Sequence, residues 1–311
     1  MHRITRITAT IEAMQTVHWP HFAGSALRGA FGRALRHAAC ITGQDTCKSC
    51  PLRASCAYGS VFDPAPPMRP LHPSFQNGLP RYFIQPPALG ACQLTSGQRQ
   101  TFHLVLLPGS KSHQTLIAHN LRTSIEQNLI QPGLFMLVHA SMTEEICMGL
   151  QTPDKAVIAP GPEPEPEAEA EANQQITLRW QTPVRLQAKG KFIFKPLDLD
   201  ASTLVRALLR RHMQWCQLTE QVLPDTHAHT QAASACTLDT SNMRWHDIER
   251  RSNTQKEKLP LGGMMGSATL QGPHKAIQTL LPLLQMGEQL HIGKEIVMGL
   301  GRYQLGCIES D

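Results

Sequence analysis

The feature that most constrains the fold is a proline-rich, acidic tract, APGPEPEPEAEAEANQQ, near the middle of the 311-residue chain. Alternating Pro and Glu, followed by alternating Ala and Glu, cannot bury a hydrophobic core, and the like charges keep such a segment extended. The tract therefore predicts a linker, residues 151–175, between a first domain at 1–150 and a second at 176–311. Each half is long enough to build a core of its own.

The two halves show a similar predicted order of elements. In the first, a strand at 4–11 precedes a helix that begins near Ser25, and two further strands precede a helix at 112–127, capped by Ser112. In the second, two strands precede a helix at 198–215, and a glycine-broken strand, a helix at 274–285 and a last strand follow. The order strand, helix, strand, strand, helix, strand, occurring twice, predicts an α+β fold of tandem ferredoxin-like (RRM-like) domains.

The charge of the chain is uneven. Its formal net charge is +5, but five of the 24 acidic residues lie in the linker tract, so 19 acidic residues face 29 lysines and arginines in the remainder, an excess of ten. A folded body this basic favours a polyanionic partner, although a solvated basic surface explains the charge equally well. No run of about eighteen apolar residues and no signal-peptide block occurs, so we expect a cytoplasmic chain without a membrane partner.

Four cysteines lie close together in the first half: Cys40, Cys47, Cys50 and Cys56, spaced C-x6-C-x2-C-x5-C. Four thiolates at this density can close around one zinc ion, and the Cys-x2-Cys pair is the most specific part of the pattern. An iron–sulfur cluster suits the same count, and small buried or oxidised thiols are the alternative without a metal. The segment predicts a cysteine-containing helical finger inserted in the first domain, with structural zinc as its candidate ligand.

Basic residues are concentrated on the helix that contains GSALRGAFGRALRHAAC. At 3.6 residues per turn its apolar side chains gather on one side, Arg33, Arg36 and His37 fall on the opposite side, and Arg28 lies on a flank. No acidic residue interrupts this basic face, and uncompensated arginines suit the oxygens of a phosphate. An ordinary core helix with a solvated basic face is the alternative.

A second basic cluster lies in NMRWHDIERRSNTQKEKLPLGG, residues 242–263. Its members are cations that surround an aromatic ring and an imidazole: Arg244, Arg250, Arg251, Lys256 and Lys258, with Trp245 and His246. Basic residues interleaved with an aromatic ring favour an RNA contact, in which a base stacks while cations follow the backbone. A polar hairpin, partly neutralised by its own carboxylates, is the alternative.

Several motifs taken together resemble a known family. LRGAFGRALR with the cysteine segment, TPVRLQAKGK, RRSNTQKEKLPLGG and LHIGKEIVMGLGRYQL are similar to the CRISPR-associated endoribonucleases that cut precursor CRISPR RNA, which belong to the repeat-associated RNA-binding (RAMP) superfamily. The resemblance covers both domains and is most specific after residue 240. It implies a CRISPR repeat RNA hairpin, retained as mature crRNA, and other Cas effector subunits as partners.

The resemblance also implies a reaction that uses no metal cofactor. The ribose 2′-hydroxyl attacks the adjacent phosphate and leaves a 2′,3′-cyclic phosphate and a 5′-hydroxyl, assisted by a histidine base and nearby cations. The residues that it implies for catalysis are His37, Arg28, Arg33, Arg36, Arg244 and His246. Those that it implies for RNA binding are Lys189, Lys191, Arg250, Arg251, Lys256, Lys258, His291, Gly293, Lys294, Gly299, Gly301 and Arg302. The three glycines would let main-chain amides approach phosphates.

The chain departs from the family pattern where a tyrosine and a second arginine are expected, since Arg251 and Thr254 stand there. The dense arginines and the cysteine segment resemble the type IV branch, which implies that the processed RNA stays bound and that the enzyme joins an effector complex. Two rival interpretations are a non-catalytic crRNA-binding subunit of the same superfamily and a cysteine-cluster protein that acts in redox or DNA regulation.

Overall fold

We describe a computed structural model of the chain, which covers residues 2–90, 92–147, 173–223, 225–251 and 258–310. The predicted linker lies outside the described residues except for its last three, which already belong to a strand. Among the helices that the structure describes, none combines the length and the apolar character needed to cross a bilayer.

The first domain is a four-stranded antiparallel sheet with two helices on one face. Its elements, in chain order, are β1 (Arg3–Ala13), β2 (Val17–Trp19), α1 (Gly24–Ala39), β3 (Tyr82–Gln85), β4 (Cys92–Leu94), β5 (Arg99–Leu106), α2 (Gln114–Asn128) and β6 (Phe135–Ile146). The strand order β3-β5-β1-β6 is that of a ferredoxin-like fold, and β2 pairs with β4 apart from this sheet.

Alternating burial along β1 explains how the helices pack. Ile7, Ala9 and Ile11 are buried on one face, whereas the intervening threonines are half-buried on the other, as a period of two requires. The apolar side of α1 and that of α2 cover the buried face. The predicted cap of α2 is wrong: the helix begins at Gln114, because a 3-10 turn at Lys111–His113 takes up Ser112.

The second domain repeats this arrangement with additions. Its elements are β7 (Asn173–Val184), β8 (Gln187–Ala188), β9 (Lys191–Phe192), α3 (Ala201–Thr219), α4 (Thr226–Ser234), β10 (Thr237–Asp239), β11 (Met243–His246), β12 (Glu249–Arg251), β13 (Lys258–Pro260), β14 (Gly263–Pro273), α5 (His274–Leu290) and β15 (Tyr303–Ser310). The sheet order β10-β14-β7-β15 is again ferredoxin-like, and β11 pairs with the beginning of β14. The predicted α+β fold of tandem ferredoxin-like domains is therefore confirmed.

The helix-free face of the first sheet packs against the second domain. Ile4, Phe83 and Val105 on that face belong to the same buried apolar cluster as the core of the second domain. Farther along the face, Gln85 contacts His291, which begins a glycine-rich segment, residues 291–302. The two domains thus share one interface that is apolar at one end and polar at the other.

A small apolar cluster ties the loop before α1 to the second domain. Its buried members come from that loop, from the chain after β11 and from the glycine-rich segment: Phe22, Ile248, Leu261, Met298 and Leu300. Because these side chains exclude water together, they fix three chain segments next to one another.

The cysteine segment, residues 40–56, follows α1 and consists of turns. The prediction of a helical finger is wrong in this respect, because the described segment contains no α-helix and is followed instead by a five-residue π-helical turn, Tyr58–Phe62. Arg36 at the end of α1 donates hydrogen bonds to the main-chain carbonyls of Gln44 and Asp45, so the helix holds the segment by its backbone.

Candidate active site

Two histidines from different domains meet at the amino end of α1. His21, in the loop between β2 and α1, and His246, the last residue of β11, have their Nε2 atoms 2.9 Å apart. Their ring centroids are 5.1 Å apart, with 31° between the ring planes. A hydrogen bond between two imidazole nitrogens needs one that carries a proton and one that accepts it. The pair, half-buried in both cases, therefore places a base beside a proton donor.

The small apolar cluster holds this histidine pair in place. Phe22 follows His21 directly, and Ile248 lies two residues beyond His246; both are buried in that cluster. The buried side chains that anchor the two segments therefore lie within two residues of the histidines in sequence.

The amino end of α1 adds a site for negative charge next to the histidine pair. The first turn of α1 contains no acidic residue, and among the described residues no side chain caps it. The free main-chain N–H groups and the helix dipole at such an end favour an anion such as a phosphate. Gly24, the first residue of α1, is packed against the main-chain carbonyl of Met298, which leaves no space for a Cβ there.

The three predicted arginines of α1 make contacts away from the histidine pair. The guanidinium of Arg28 lies over the ring of Phe62, 4.8 Å from its centre. Arg33 donates to the main-chain carbonyl of Asn128 at the end of α2, and Arg36 holds the cysteine segment as described above. Direct catalytic roles for these arginines stay predictions, and their contacts give them structural tasks.

The structure also separates His37 from His246. His37 is exposed in the last turn of α1, roughly 20 Å along the axis from the first turn at 1.5 Å per residue. Arg244, by contrast, is exposed on β11 two residues before His246 and therefore lies on the same side of that strand. Of the six side chains predicted for catalysis, His246 is thus a member of the histidine pair, and Arg244 lies on the same side of β11.

His21 carried no signal of its own in the sequence. It stands in a loop, TVHWPHFAG, among fifteen histidines, and its partner lies in the other half of the chain. Only the packing of the first domain on the second places it opposite His246.

The glycine-rich segment packs closely against protein main chain. Gly299 has φ +96°, and a Cβ there would lie 2.5 Å from the carbonyl oxygen of Ile84. Gly293 would place a Cβ 2.6 Å from the carbonyl oxygen of Arg185, and Gly301 approaches the main chain of Ile292. These contacts already require glycine, so the RNA contacts predicted for the three glycines stay predictions.

His291, at the start of the same segment, is fully buried. Burial, followed by the positive charges of Arg302 and Arg211, lowers the pKa of His291 well below its usual value. A side chain without solvent exposure has no surface to offer RNA in this arrangement, so its predicted RNA contact is not supported by its position.

A basic cavity of about 590 Å³ opens where β7 ends. Residues that line it and favour an anion are Arg185, Lys189, Arg206, Arg210, Arg211, Gly293 and Lys294, and they outnumber the two carboxylates of the lining, Asp198 and Asp200. Burial, and then the charge of Arg210, lower the pKa of Lys294. The structure thus brings together three residues predicted for RNA binding and adds four arginines that were not predicted. The spacing of Arg206 and Arg210, four apart on α3, was the available signal.

An aromatic pair, of exposed Phe194 and half-buried Trp245, is formed by the residue next to His246 on β11. The rings of Phe194 and Trp245 have centroids 4.8 Å apart and planes at 48°, and the Trp245 indole donates a 2.8 Å hydrogen bond to the Asp247 carboxylate. Phe194 is 58% exposed, which is unusual for so large an apolar side chain. An RNA contact was predicted from the sequence for Trp245, and no role was predicted for Phe194.

The remaining predicted RNA-binding residues fall in several places. Lys191 is exposed on β9, and burial followed by the charge of Arg6 lowers the pKa of the half-buried Arg302. Three others, Arg250, Arg251 and Lys258, lie in the β12–β13 hairpin. Lys256 lies outside the described residues. Their roles stay predictions.

The predicted metal ligands share one place. Cys40, Cys47, Cys50 and Cys56 are free thiols that line a single cavity of about 20 Å³. Their sulfurs do not meet at one centre as they stand: within the described part of the chain, no group of three or more His, Cys, Asp or Glu side chains is arranged to hold a metal ion.

Family models match most of the chain in two separate pieces. Residues 178–303 match the family model described as CRISPR-associated endoribonuclease Cas6, and residues 2–149 match a model described as an N-terminal domain. Over residues 178–303 the chain is similar to the Cas6 endoribonucleases. The predicted resemblance to CRISPR-associated endoribonucleases is thereby confirmed, whereas the type IV branch stays a prediction. No curated protein matches the chain.

Several solved structures share the fold of this chain at low sequence identity. A partial Cas6-RT-Cas1–Cas2 complex has a TM-score of 0.57 and 14% identity over 100% of this chain and 46% of that one. A Cas6 product complex has a TM-score of 0.55 and 15% identity over 98% and 100%. Thermus thermophilus Cas6 has a TM-score of 0.52 and 15% identity over 98% and 99%. The chain thus spans about half the length (46%) of the first of these relatives.

Proposed function

We propose that this chain cuts CRISPR repeat RNA beside a stem–loop and that the His21–His246 pair carries out the proton transfers. The observation that carries the proposal is the 2.9 Å contact between the Nε2 atoms of two half-buried histidines from different domains. The match of residues 178–303 to the model of the Cas6 endoribonucleases supports RNA as the substrate.

In the proposed reaction one imidazole acts as the base and the other as the acid. The base takes the proton of a ribose 2′-hydroxyl, and the 2′-oxygen forms a bond to the adjacent phosphorus. The bond from phosphorus to the 5′-oxygen breaks, and the second imidazole gives its proton to that oxygen. The products are a 2′,3′-cyclic phosphate and a 5′-hydroxyl. Because the two imidazoles supply both transfers, the reaction needs no metal; the rings separate to admit the phosphate.

Positive charge for the transition state comes from two groups beside the pair. The N–H groups of the first turn of α1 are free of side-chain caps among the described residues, and Arg244 lies on the same side of β11 as His246. Both can stabilise the charge that develops on the phosphorane oxygens. This arrangement keeps Arg244 and His246 in the catalytic roles predicted for them and adds His21.

The RNA strand on either side of the cut has a surface to follow. The basic cavity offers arginine and lysine side chains for phosphates, and Phe194 with Trp245 offers aromatic faces for bases. The glycine-rich segment connects the basic cavity to the start of α1, since Gly293 lines the cavity and Met298 packs against Gly24.

The proposed partners follow from the relatives. One similar structure is a Cas6 product complex, and another is a Cas6-RT-Cas1–Cas2 complex. We infer that this chain holds its processed crRNA and assembles with other Cas proteins. Retention of the RNA and entry into an effector complex of the type IV kind belong to the same proposal.

The test is single-turnover cleavage of a synthetic repeat hairpin in EDTA, with separate measurement of binding. His21→Ala and His246→Ala should each lower the cleavage rate by about 10²- to 10⁴-fold while RNA affinity stays within a few-fold. A 2′-deoxy substitution at the cut should stop cleavage, and the product should carry a cyclic phosphate.

His37→Ala serves as the matched control, since His37 is an exposed histidine at the other end of α1. Its cleavage rate should be close to that of the unaltered chain. If His37→Ala abolished cutting and both other variants remained active, the active site would lie at the far end of α1 and the proposal would be wrong. Tight binding without any cleavage would favour the non-catalytic subunit.

A further inference from the structure

The cysteine segment lacks the usual means of holding a fold. Throughout residues 40–56, all of which the structure describes, no side chain is buried, and Ile41 is 84% exposed. A segment without a hydrophobic core normally depends on disulfides or on a metal for a fixed shape. Its four cysteines are free thiols. Polar contacts of Arg36 and the Arg53–Asp63 ion pair hold its two ends, and no packed core holds the turns between them.

The four cysteines lie around one small cavity although they are separated in sequence. All four line one cavity of about 20 Å³, enough for a single small occupant. The Thr42 hydroxyl lies 3.8 Å from the Cys40 sulfur and 3.7 Å from the Cys50 sulfur, so these two thiols flank one side chain. The main-chain N–H of Cys50 donates to the carbonyl of Cys47, which turns the Cys-x2-Cys pair back on itself.

One further contact shows that a sulfur of this set already accepts a hydrogen bond. The main-chain N–H of Gly59 donates to the Cys56 sulfur at 3.4 Å. An N–H that points at a sulfur favours the thiolate, which is the form that binds a metal ion.

We propose that Cys40, Cys47, Cys50 and Cys56 bind one structural zinc ion as four thiolates. Thiolates are soft ligands, and four of them in a tetrahedron suit Zn²⁺, which stabilises small segments that cannot build a core. The sulfurs do not yet point at one centre. All four side chains are only half-buried, so changes of χ1 are the movement by which the sulfurs would reach one centre.

The position of this site separates its role from catalysis. The cysteine segment begins at the carboxyl end of α1, whereas the histidine pair lies before its amino end. Arg36 connects α1 to the segment through its hydrogen bonds to Gln44 and Asp45. Zinc would therefore fix the shape of a surface segment, and the zinc proposal stands or fails independently of the proposed cleavage reaction.

The first experiment measures zinc in the full-length chain after expression with zinc and removal of loosely bound metal. We expect one zinc per chain in the unaltered protein and in Cys92→Ser/Cys307→Ser, a control that removes two exposed cysteines elsewhere. Cys47→Ser/Cys50→Ser should lose the zinc. Cobalt in place of zinc should give the intense visible and sulfur-to-metal absorption of a tetrahedral thiolate site.

A second measurement on the unaltered chain does not depend on any variant's folding. The four proposed ligands should resist alkylation until a strong chelator is added, whereas Cys92 and Cys307 should react at once. Zinc well below one per chain, zinc retained in Cys47→Ser/Cys50→Ser, or iron with labile sulfide in place of zinc would each overturn the proposal.

Discussion

Gln85 of the first domain and His291 of the second are hydrogen-bonded across the domain interface, with their Nε2 atoms 3.1 Å apart. Gln85 is 4% exposed and His291 is fully buried. An amide nitrogen can only donate, so the Nε2 of His291 accepts and carries no proton. The contact therefore requires a neutral imidazole inside the interface.

We predict that this neutral histidine makes the domain interface sensitive to acid. Burial, then Arg302 and Arg211, lower the pKa of His291 in the folded chain. Its contribution to the free energy of unfolding is complete above its unfolded pKa of about 6.5 and is lost as the pH falls towards the lowered folded value. His291→Asn, which does not titrate and tolerates positive φ, should reduce the slope of unfolding free energy against pH by up to about 1.4 kcal/mol per unit.

Urea unfolding at several pH values between 5 and 8 measures that slope. His119→Asn, which changes an exposed histidine of α2, is the matched control and should leave the slope unchanged. Equal slopes for His291→Asn and the unaltered chain would show that His291 does not contribute to the acid sensitivity.

We predict that Gly299→Ala destabilises the interface more than an alanine at another positive-φ glycine. Gly97, at φ +85°, has nothing within 4 Å of a Cβ, whereas a Cβ on Gly299 would overlap the Ile84 carbonyl. Both substitutions share the backbone cost of a positive φ. The difference between the two variants in free energy of unfolding, about 1–3 kcal/mol, therefore reports the overlap alone. Thermal or urea unfolding of the two variants measures it. A Gly97→Ala variant as unstable as Gly299→Ala would contradict the role of close packing.

We predict that Arg210→Ala weakens RNA binding in a manner that depends on salt. If Arg210 contacts one phosphate, the slope of log affinity against log salt concentration should fall by about one. Arg122→Ala, which removes an exposed arginine paired with Glu126 on α2, should leave the slope unchanged. Filter binding at several salt concentrations provides the comparison, and cleavage of fully bound RNA should proceed at the normal rate. An unchanged slope for Arg210→Ala would exclude the cavity from the RNA path.

We predict that Phe194→Ala loses a stacked base. The loss should be about 1–3 kcal/mol, which is about 5- to 150-fold in affinity, with Phe194→Tyr close to the unaltered chain. Leu197→Ala, at a position that is 89% exposed in the next turn, is the control for loss of apolar surface. A fluorescent base analogue placed next to the cut should be quenched by the unaltered chain and not by Phe194→Ala. Equal losses for Phe194→Ala and Leu197→Ala would argue for a general apolar contact.

Much of the fold could be predicted because local patterns and packing agree. The period-two burial of β1 and the 3.6-residue spacing of α1 and α3 are visible in the sequence, and Asp200 caps α3 by accepting from the Thr203 amide at 2.6 Å. Helix ends were harder to place, since α5 continues through Pro282 to Leu290. The long edge strand β6 and the short helix α4 were missed because they lack a strong period.

The candidate site was harder to predict than the fold. His246 was found because basic and aromatic residues surround it in sequence, whereas His21 is brought to it only by the packing of one domain on the other. Helical spacing correctly placed Arg33 and Arg36 on the outer side of α1, but spacing alone does not say which neighbour that side faces. Their partners proved to be Asn128 and the cysteine segment.

The division of the histidine pair between the domains makes each half of the chain incomplete alone. His21 belongs to one folding unit and His246 to the other, so a fragment of either kind would contain half of a proton-transfer apparatus. Two separately expressed fragments that dock through Ile4, Phe83 and the core of the second domain would restore the reaction on mixing. The cleavage rate would then depend on the concentrations of the two fragments, because association would replace the covalent connection between the domains.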